Sequence, residues 1–132
     1  MIKENKEFKV SVVIPTYNRV AYLGRAINSV LKQSYPVNEI IVIDNGSTDQ
    51  TLSFIKKNFT RIRVITEKKR GVSFARNLGI KNCKYNWIAF LDSDDEWMTD
   101  KIEKQFILLK KNNFKYQFIH TNEIWIKNGI LK

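Results

Sequence analysis

The chain has 132 residues, of which 43% are hydrophobic and 27% charged, and this suits one folded domain and argues against global disorder. A single cysteine, Cys83, excludes an intramolecular disulfide and a cysteine zinc site. The formal net charge of +10 favours anionic partners, but the lysines form no block of five or more, so nucleic-acid binding has little support.

Short apolar runs of strand type alternate along the chain with segments of helical type. In chain order, the pattern predicts a strand at 10–15, a helix at 21–33, a strand at 39–44, a helix within 45–58, a strand at 61–66, a short helix within 71–83, a strand at 85–92, a helix at 99–112 and a strand at 116–127. The last residues, "IWIKNGILK", are typical of one arm of a hairpin whose other arm is absent, which suggests the front part of a longer domain.

This alternation predicts an α/β fold. Buried strands that are joined by helices form a mainly parallel sheet with right-handed crossovers, and helices cover both of its faces. The chain has no internal repeat, low-complexity tract or linker. We therefore expect a single domain over residues 1–132, built as a three-layer α/β/α sandwich.

Polar residues collect where three of the predicted strands end. The first strand ends in "PTYNR", the second in "DNGSTD" and the fourth in "DSDDEW". Ligands of open α/β sheets bind beyond the carboxyl ends of the strands, so these clusters are expected to converge. The chain contains no G-x-x-x-x-G-K-[ST] and no G-x-G-x-x-G after the first strand, which excludes a P-loop NTPase and argues against a dinucleotide-binding fold.

The acidic cluster after the fourth strand favours a divalent cation. Hard cations take oxygen ligands and commonly bridge carboxylates to substrate phosphates. In an extended chain, Asp92 and Asp94 share one face and Asp95 points away. Asp95 and Glu96 could instead serve only the start of the following helix. An EF-hand loop is excluded, because Trp97 stands where its turn glycine is required.

Four blocks in this order, "VSVVIPTYNR", "IIVIDNGSTD", "GVSFARNLGI" and "WIAFLDSDDEW", resemble the amino-terminal half of a family 2 glycosyltransferase with the GT-A fold. The resemblance covers roughly residues 8–125. It implies a nucleotide-sugar donor, usually a UDP-sugar, and Mn²⁺ or Mg²⁺ as the cofactor. It also implies a glycan or lipid-linked acceptor and a role in cell-surface glycan synthesis.

The resemblance assigns the first two strand ends to the nucleotide. Pro15, Thr16 and Tyr17 match the loop that lines the base and ribose pocket, and Asp44 matches the aspartate that contacts the base. A carboxylate at that position could accept the uracil ring N–H, which adenine does not offer. Two alternatives stay open: Tyr17 could pack in the core, and Asp44 could only shape a turn.

The remaining matched residues concern the diphosphate and the metal. Arg76 matches the arginine near the base and diphosphate, although it could be a surface ion-pair partner. Asp92 matches the D-x-D residue near the ribose, and Asp94 matches the metal ligand, so both are metal candidates. Ser93, between them, is counted with the nucleotide-sugar-binding residues.

No residue of the chain is assigned as the catalytic base. In inverting members of the family the base is an Asp or Glu of the carboxyl-terminal half, so we expect it beyond residue 132, together with the acceptor-binding part. His120 lies in an apolar run and is expected to be a packed or hydrogen-bonded core histidine. Glu123 lies in the same run and is not assigned as the catalytic base either.

The function therefore has one leading interpretation and two others. The leading one is a glycosyltransferase or its donor-binding part. The first alternative is a nucleotide-binding module without transfer activity, and the second is nucleic-acid binding, for which the chain has no motif. A phosphoaspartyl phosphatase or receiver domain is disfavoured, because both want an aspartate where this chain has Pro15 and Thr16.

The expected location is the cytoplasm. The first ten residues are polar and unlike a signal peptide, and no apolar run approaches the roughly 18 residues of a membrane span. A lipid-linked acceptor would bring the protein to the inner face of the membrane, although the sequence offers no amphipathic anchor. The sequence does not determine the oligomeric state.

Overall fold

A parallel sheet of four strands forms the centre of the computed structural model, which describes residues 7–131. The strands are β1 (Val10–Thr16), β2 (Glu39–Asp44), β3 (Arg63–Thr66) and β4 (Trp87–Phe90), in the order β3-β2-β1-β4. Every residue of β1 and β2 is buried, whereas the two outer strands are mostly half-buried. The runs of β-branched residues in "VSVVIP" and "EIIVID" suit strands that helices cover on both faces.

Helices cover both faces of this sheet. They are α1 (Val20–Leu31), α2 (Thr51–Asn58), α3 (Val72–Asn82) and α4 (Lys101–Lys111). Side chains of α1, α2 and α4 join one apolar cluster with Val12 and Ile14 of β1. Ala75 of α3 joins a second cluster with Val13, whose side chain points to the other face. The predicted α/β sandwich with a mainly parallel sheet is therefore confirmed.

The strand order reverses beside β1. The chain moves from β1 to β2 to β3 in one direction, and then returns to place β4 on the opposite side of β1. The carboxyl ends of β1 and β4 thus flank a topological switch point, which is where open α/β sheets bind their ligands.

Helix α3 lies unusually close to β1. A Cβ atom added to Gly79 would lie 2.3 Å from Cγ1 and 3.0 Å from Cγ2 of Val13. The glycine therefore lets the helix backbone rest almost directly on the buried strand. This contact fixes the height of α3, and with it Arg76, above the sheet.

The amino edge of the sheet holds a buried carboxylate, Glu39. Its Oε1 accepts hydrogen bonds from Ser11 Oγ and the Lys84 backbone N–H, each at 2.9 Å, and its Oε2 accepts one from Arg63 Nη1 at 2.9 Å. Burial raises the pKa of Glu39, but the three hydrogen bonds and the Arg63 charge outweigh it and hold the pKa below its ordinary value. The cluster ties β1, β2 and β3 to the segment before β4.

The prediction of a fifth strand at 116–127 is wrong. Only β5 (Ile126–Lys127) forms there, and it pairs antiparallel with β6 (Ile130–Leu131) in a separate hairpin. Between them, Asn128 and Gly129 have φ values of 52° and 76°, which a two-residue hairpin turn requires. Both arms of the hairpin are present, so the expectation of a missing arm is also wrong.

This error has a physical reason. A strand needs a neighbour for its backbone hydrogen bonds, and the apolar run at 116–127 finds none over most of its length. Phe118 and Trp125 are 81% and 72% exposed instead of being packed in the core.

Within residues 7–131, no helix combines the length and apolarity needed to cross a membrane.

Candidate functional site

A cavity of about 450 Å³ opens at the carboxyl edge of the sheet, beside the switch point. Seven of the eight predicted site residues line it: Pro15, Thr16, Tyr17, Arg76, Asp92, Ser93 and Asp94. The ends of β1 and β4 and the start of α3 therefore bring these residues together. Three residues that the sequence did not single out, Arg19, Asn45 and Arg70, also line the cavity.

Asp44 is the predicted residue that does not line the cavity. It ends β2 and is fully buried, and its Oδ2 accepts hydrogen bonds from the backbone N–H groups of Gly46 and Ser47 at 3.2 and 3.1 Å. Asp44 therefore shapes a turn, which is the role that the sequence left open as the alternative to contact with a base. Its Oδ1 has no hydrogen-bond partner within residues 7–131. Contact between Asp44 and a base stays a prediction.

The next residue, Asn45, faces the cavity and anchors the loop that follows β3. Its Nδ2 donates to the carbonyl oxygens of Glu67 and Lys69 at 3.1 and 2.7 Å, and its Oδ1 accepts from the Gly71 N–H at 2.9 Å. Gly71 has a φ of 133°, which other residues rarely adopt. The three bonds place Arg70, which lies within this loop, on the cavity wall.

Arg70 stacks on Tyr17 at the cavity. The guanidinium carbon lies 3.8 Å from the centroid of the tyrosine ring, a close cation–π contact. Tyr17 is 37% exposed, so the alternative of core packing does not hold. An aromatic face and a cation thus meet where the end of β1 enters the cavity.

The two aspartates of the D-x-D sequence lie on a turn. The strand β4 ends at Phe90, and the Asp95 N–H donates to the Asp92 carbonyl at 3.0 Å. Asp92 and Asp94 are exposed at the cavity, whereas Ser93 between them is buried. Asp92 and Asp94 thus face the same cavity, as expected, but they do so because the chain turns there and not because it is extended.

Arginines pair with both carboxylates. Arg76 Nη2 lies 2.8 Å from Asp92 Oδ1, and Arg19 Nε lies 3.9 Å from Asp94 Oδ2. Arg76 therefore does form the ion pair that was its alternative role, but this ion pair lies at the cavity. The positive charges of Arg19, Arg70 and Arg76 exceed the two negative charges by one, so an anion would be attracted to the cavity.

Negative charge is also concentrated just outside the cavity. Burial raises the pKa of Asp95, and the charges of Asp94, Asp92 and Glu123 raise it further. A cation near this turn would relieve that repulsion. Two carboxylates fit a hard divalent cation that takes its other ligands from water and phosphate. The described residues contain no group of three or more His, Cys, Asp or Glu that could hold a metal without such help.

Neither His120 nor Glu123, the two side chains considered as a catalytic base, lies at the cavity. His120 is exposed, so the prediction of a core histidine is wrong, because the segment around it does not join the sheet. Glu123 is exposed as well.

The chain is similar to proteins of a known family. The model of the family described as Glycosyl transferase family 2 matches residues 11–124. An uncharacterised glycosyltransferase of Rickettsia felis is 50% identical over 116 residues, which are 86% of this chain and 19% of that protein. The Escherichia coli protein WfgD, named UDP-Glc:alpha-D-GlcNAc-diphosphoundecaprenol beta-1,3-glucosyltransferase, is 37% identical over 125 residues, covering 89% of this chain and 49% of that protein.

A similar structure is the crystal structure of S. aureus TarS 1-349 in complex with UDP. It superposes with a TM-score of 0.73 at 29% identity, over 80% of this chain and 33% of that one. The chain thus spans between about a fifth and a half of the length of these three similar proteins.

Proposed function

The chain belongs to glycosyl transferase family 2. We propose that its cavity binds a nucleotide-sugar donor, specifically a UDP-sugar, and that the sugar is transferred from it to an acceptor hydroxyl. One observation carries the proposal. The cavity at the switch point joins an exposed tyrosine ring, three arginines and a pair of aspartates. A nucleoside diphosphate offers the matching base, phosphates and cation-binding oxygens.

Each part of the donor has a matching surface. The base packs along Pro15 and Tyr17, because a planar aromatic ring can stack on the partly exposed tyrosine ring. The diphosphate lies near Arg76, whose planar guanidinium can bind two phosphate oxygens at once. The structure of TarS with UDP, at 29% identity, supports uridine as the nucleoside.

Asp92 and Asp94 are the residues that would hold Mn²⁺ or Mg²⁺. The bound ion would supply charge neutralisation at the leaving diphosphate, as a Lewis acid does. The family resemblance supports this cofactor, and so does the placement of Asp92 and Asp94 together at the cavity.

In the reaction, the bond between the anomeric carbon and the diphosphate oxygen breaks, and a bond from that carbon to the acceptor oxygen forms. Negative charge develops on the leaving diphosphate, where the cavity arginines can stabilise it. The acceptor hydroxyl gives its proton to a general base, which we assign to none of the described residues.

The acceptor and the location follow from similarity alone. The name of the Escherichia coli protein WfgD specifies a diphosphoundecaprenol-linked acceptor, so we propose an acceptor of this class for cell-surface glycan synthesis. A protein that joins a nucleotide sugar to such a lipid would work in the cytoplasm, at the inner face of the membrane.

Calorimetric titration with UDP, with and without Mn²⁺, tests the donor site. We expect binding that requires the ion and is selective over ADP and GDP. Asp94→Asn should abolish the effect of Mn²⁺, whereas Glu96→Gln, a charge change two residues away and outside the cavity, should not. Equal affinity for all three nucleotides would contradict the proposed base selectivity.

A nucleotide-binding module without transfer activity would give the same titration. A transferase and such a module differ only in turnover, which is measured as release of UDP from UDP-glucose in the presence of lipid-linked acceptor. A folded chain that binds no nucleotide in any condition would overturn the proposal.

A further inference from the structure

The two carboxylates proposed for the cation are already occupied by arginines. Asp92 is held by Arg76 at 2.8 Å and Asp94 is approached by Arg19 at 3.9 Å. All four side chains are between 38% and 51% exposed. Ion pairs this exposed are weak, so a competing ligand can break them.

The Arg19 backbone is fixed, whereas its guanidinium makes only long, exposed contacts, with Asp94 and with the Asn18 carbonyl at 3.5 Å. The Arg19 N–H donates to Thr51 Oγ1 at 3.2 Å, and the Arg19 carbonyl accepts from the Leu23 N–H at 2.9 Å as α1 begins. The preceding Asn18 has a φ of 48°, which turns the chain from β1 into the helix. Arg19 lines the cavity, and its long side chain can reach different partners there.

A cation at these carboxylates would weaken the ion pairs that they form with the arginines. A divalent ion at Asp92 and Asp94 would compete for their oxygens and repel both guanidinium groups. The displaced groups would remain beside the cavity, where the donor diphosphate brings negative oxygens. Guanidinium binds phosphate oxygens in a bidentate manner, so the arginines would gain a new partner as they lose the old one.

We propose that Arg19 is a second diphosphate-binding residue beside Arg76, and that both arginines exchange partners during donor binding. In the empty cavity they pair with Asp94 and Asp92, and in the loaded cavity they bind the diphosphate while the cation takes the carboxylates. This inference rests on the proposed donor site. It makes binding of cation and nucleotide mutually dependent, since each one relieves a cost of the other.

The test is the substitution Arg19→Gln, measured with each ligand alone and with both. Binding of Mn²⁺ alone is followed by the electron paramagnetic resonance signal of the free ion, and binding of UDP at saturating Mn²⁺ by calorimetry. We expect Mn²⁺ alone to bind about threefold to fivefold more tightly, because a weak competing ion pair is gone. We expect UDP to bind about tenfold more weakly, because a charge-assisted contact is lost.

The opposite signs of these two shifts distinguish exchange from a structural role, which would weaken both or neither. Arg25→Gln is the matched control, because Arg25 is on α1 but does not line the cavity. Both affinities should match those of the unmodified chain in this control. Weaker Mn²⁺ binding in Arg19→Gln, or unchanged UDP binding, overturns the exchange.

The unmodified chain separates this result from a failure of the donor site. If it binds UDP with Mn²⁺ and Arg19→Gln lacks the opposite shifts, only the exchange fails. If it binds neither ligand, the donor site fails and the exchange fails with it.

Discussion

Replacing Gly79 by alanine tests the close contact between α3 and the sheet. The added Cβ would lie 2.3 Å, 3.0 Å and 3.2 Å from Cγ1, Cγ2 and Cβ of Val13. Normal contacts between carbon atoms are about 3.5–4.0 Å. Val13 is fully buried in a central strand, so the helix has to move away or the valine has to leave its rotamer.

The expected magnitude follows from two opposing effects. Overpacking a buried site costs about 1–3 kcal/mol, and the severe overlap at Val13 favours the upper end. Alanine is better than glycine inside a helix by about 1 kcal/mol. The free energy of unfolding should therefore fall by about 2 kcal/mol.

Gly24→Ala is the matched control. Gly24 lies inside α1, and its new Cβ would meet only the end of the Phe54 side chain at 3.0 Å. Phe54 is only partly buried and its ring can move, so the helix preference should leave this variant as stable as the parent or more so.

Urea unfolding followed by circular dichroism measures both variants. Since Arg76 lies one turn before Gly79 on α3, the alanine variant should also bind UDP more weakly in the presence of Mn²⁺. If Gly79→Ala is as stable as Gly24→Ala, the contact between helix and strand does not have the tightness described here.

Three further predictions concern single side chains. Glu39→Gln should lower the free energy of unfolding at pH 7 by about 2–3 kcal/mol, because a charge-assisted bond with buried groups is lost. Folding lowers the pKa of Glu39, so its contribution is fully present above the ordinary carboxyl pKa of 4.5 and is lost as the pH falls through the lowered pKa; the unfolding free energies of both forms, measured with urea, should converge in acid. Asn45→Ala should speed hydrogen exchange at the Gly71 amide by at least tenfold, measured by mass spectrometry, because its acceptor is removed. Burial raises the pKa of the half-buried Cys83 thiol, so alkylation by iodoacetamide at neutral pH should be several-fold slower than in the urea-unfolded chain, and equal rates would contradict this.

The four strands of the sheet were predictable because their signal is local. Runs of β-branched residues between turn residues need no knowledge of distant segments, and the segments 10–15 and 39–44 became β1 and β2 nearly unchanged. The run at 116–127 carries the same local signal but lacks a partner strand. Pairing is a long-range property, so composition could not show its absence.

The candidate site was predictable as a place and less so in its details. The rule for strand ends located the cavity, but it could not tell whether Asp44 or Asn45 faces inward, since this depends on the turn in which Asp44 accepts hydrogen bonds from the Gly46 and Ser47 N–H groups. Arg19 and Arg70 were missed because isolated arginines resemble ordinary surface residues until the fold brings them to a cavity.

The buried cluster around Glu39 also bears on how the chain folds. Its hydrogen bonds join residues that are 28, 24 and 45 positions apart, and the Tyr85 N–H donates to Ser11 Oγ across 74 positions. Contacts of such long range form only after their loops have closed. The Ser11–Glu39 bond spans the same 28 positions as the pairing of β1 with β2, so the cluster can form only once these strands have met. Interactions that form after the transition state slow unfolding and have little effect on the rate of folding, so the two rates of Glu39→Gln, compared with those of the unmodified chain, would show on which side of the barrier the cluster forms.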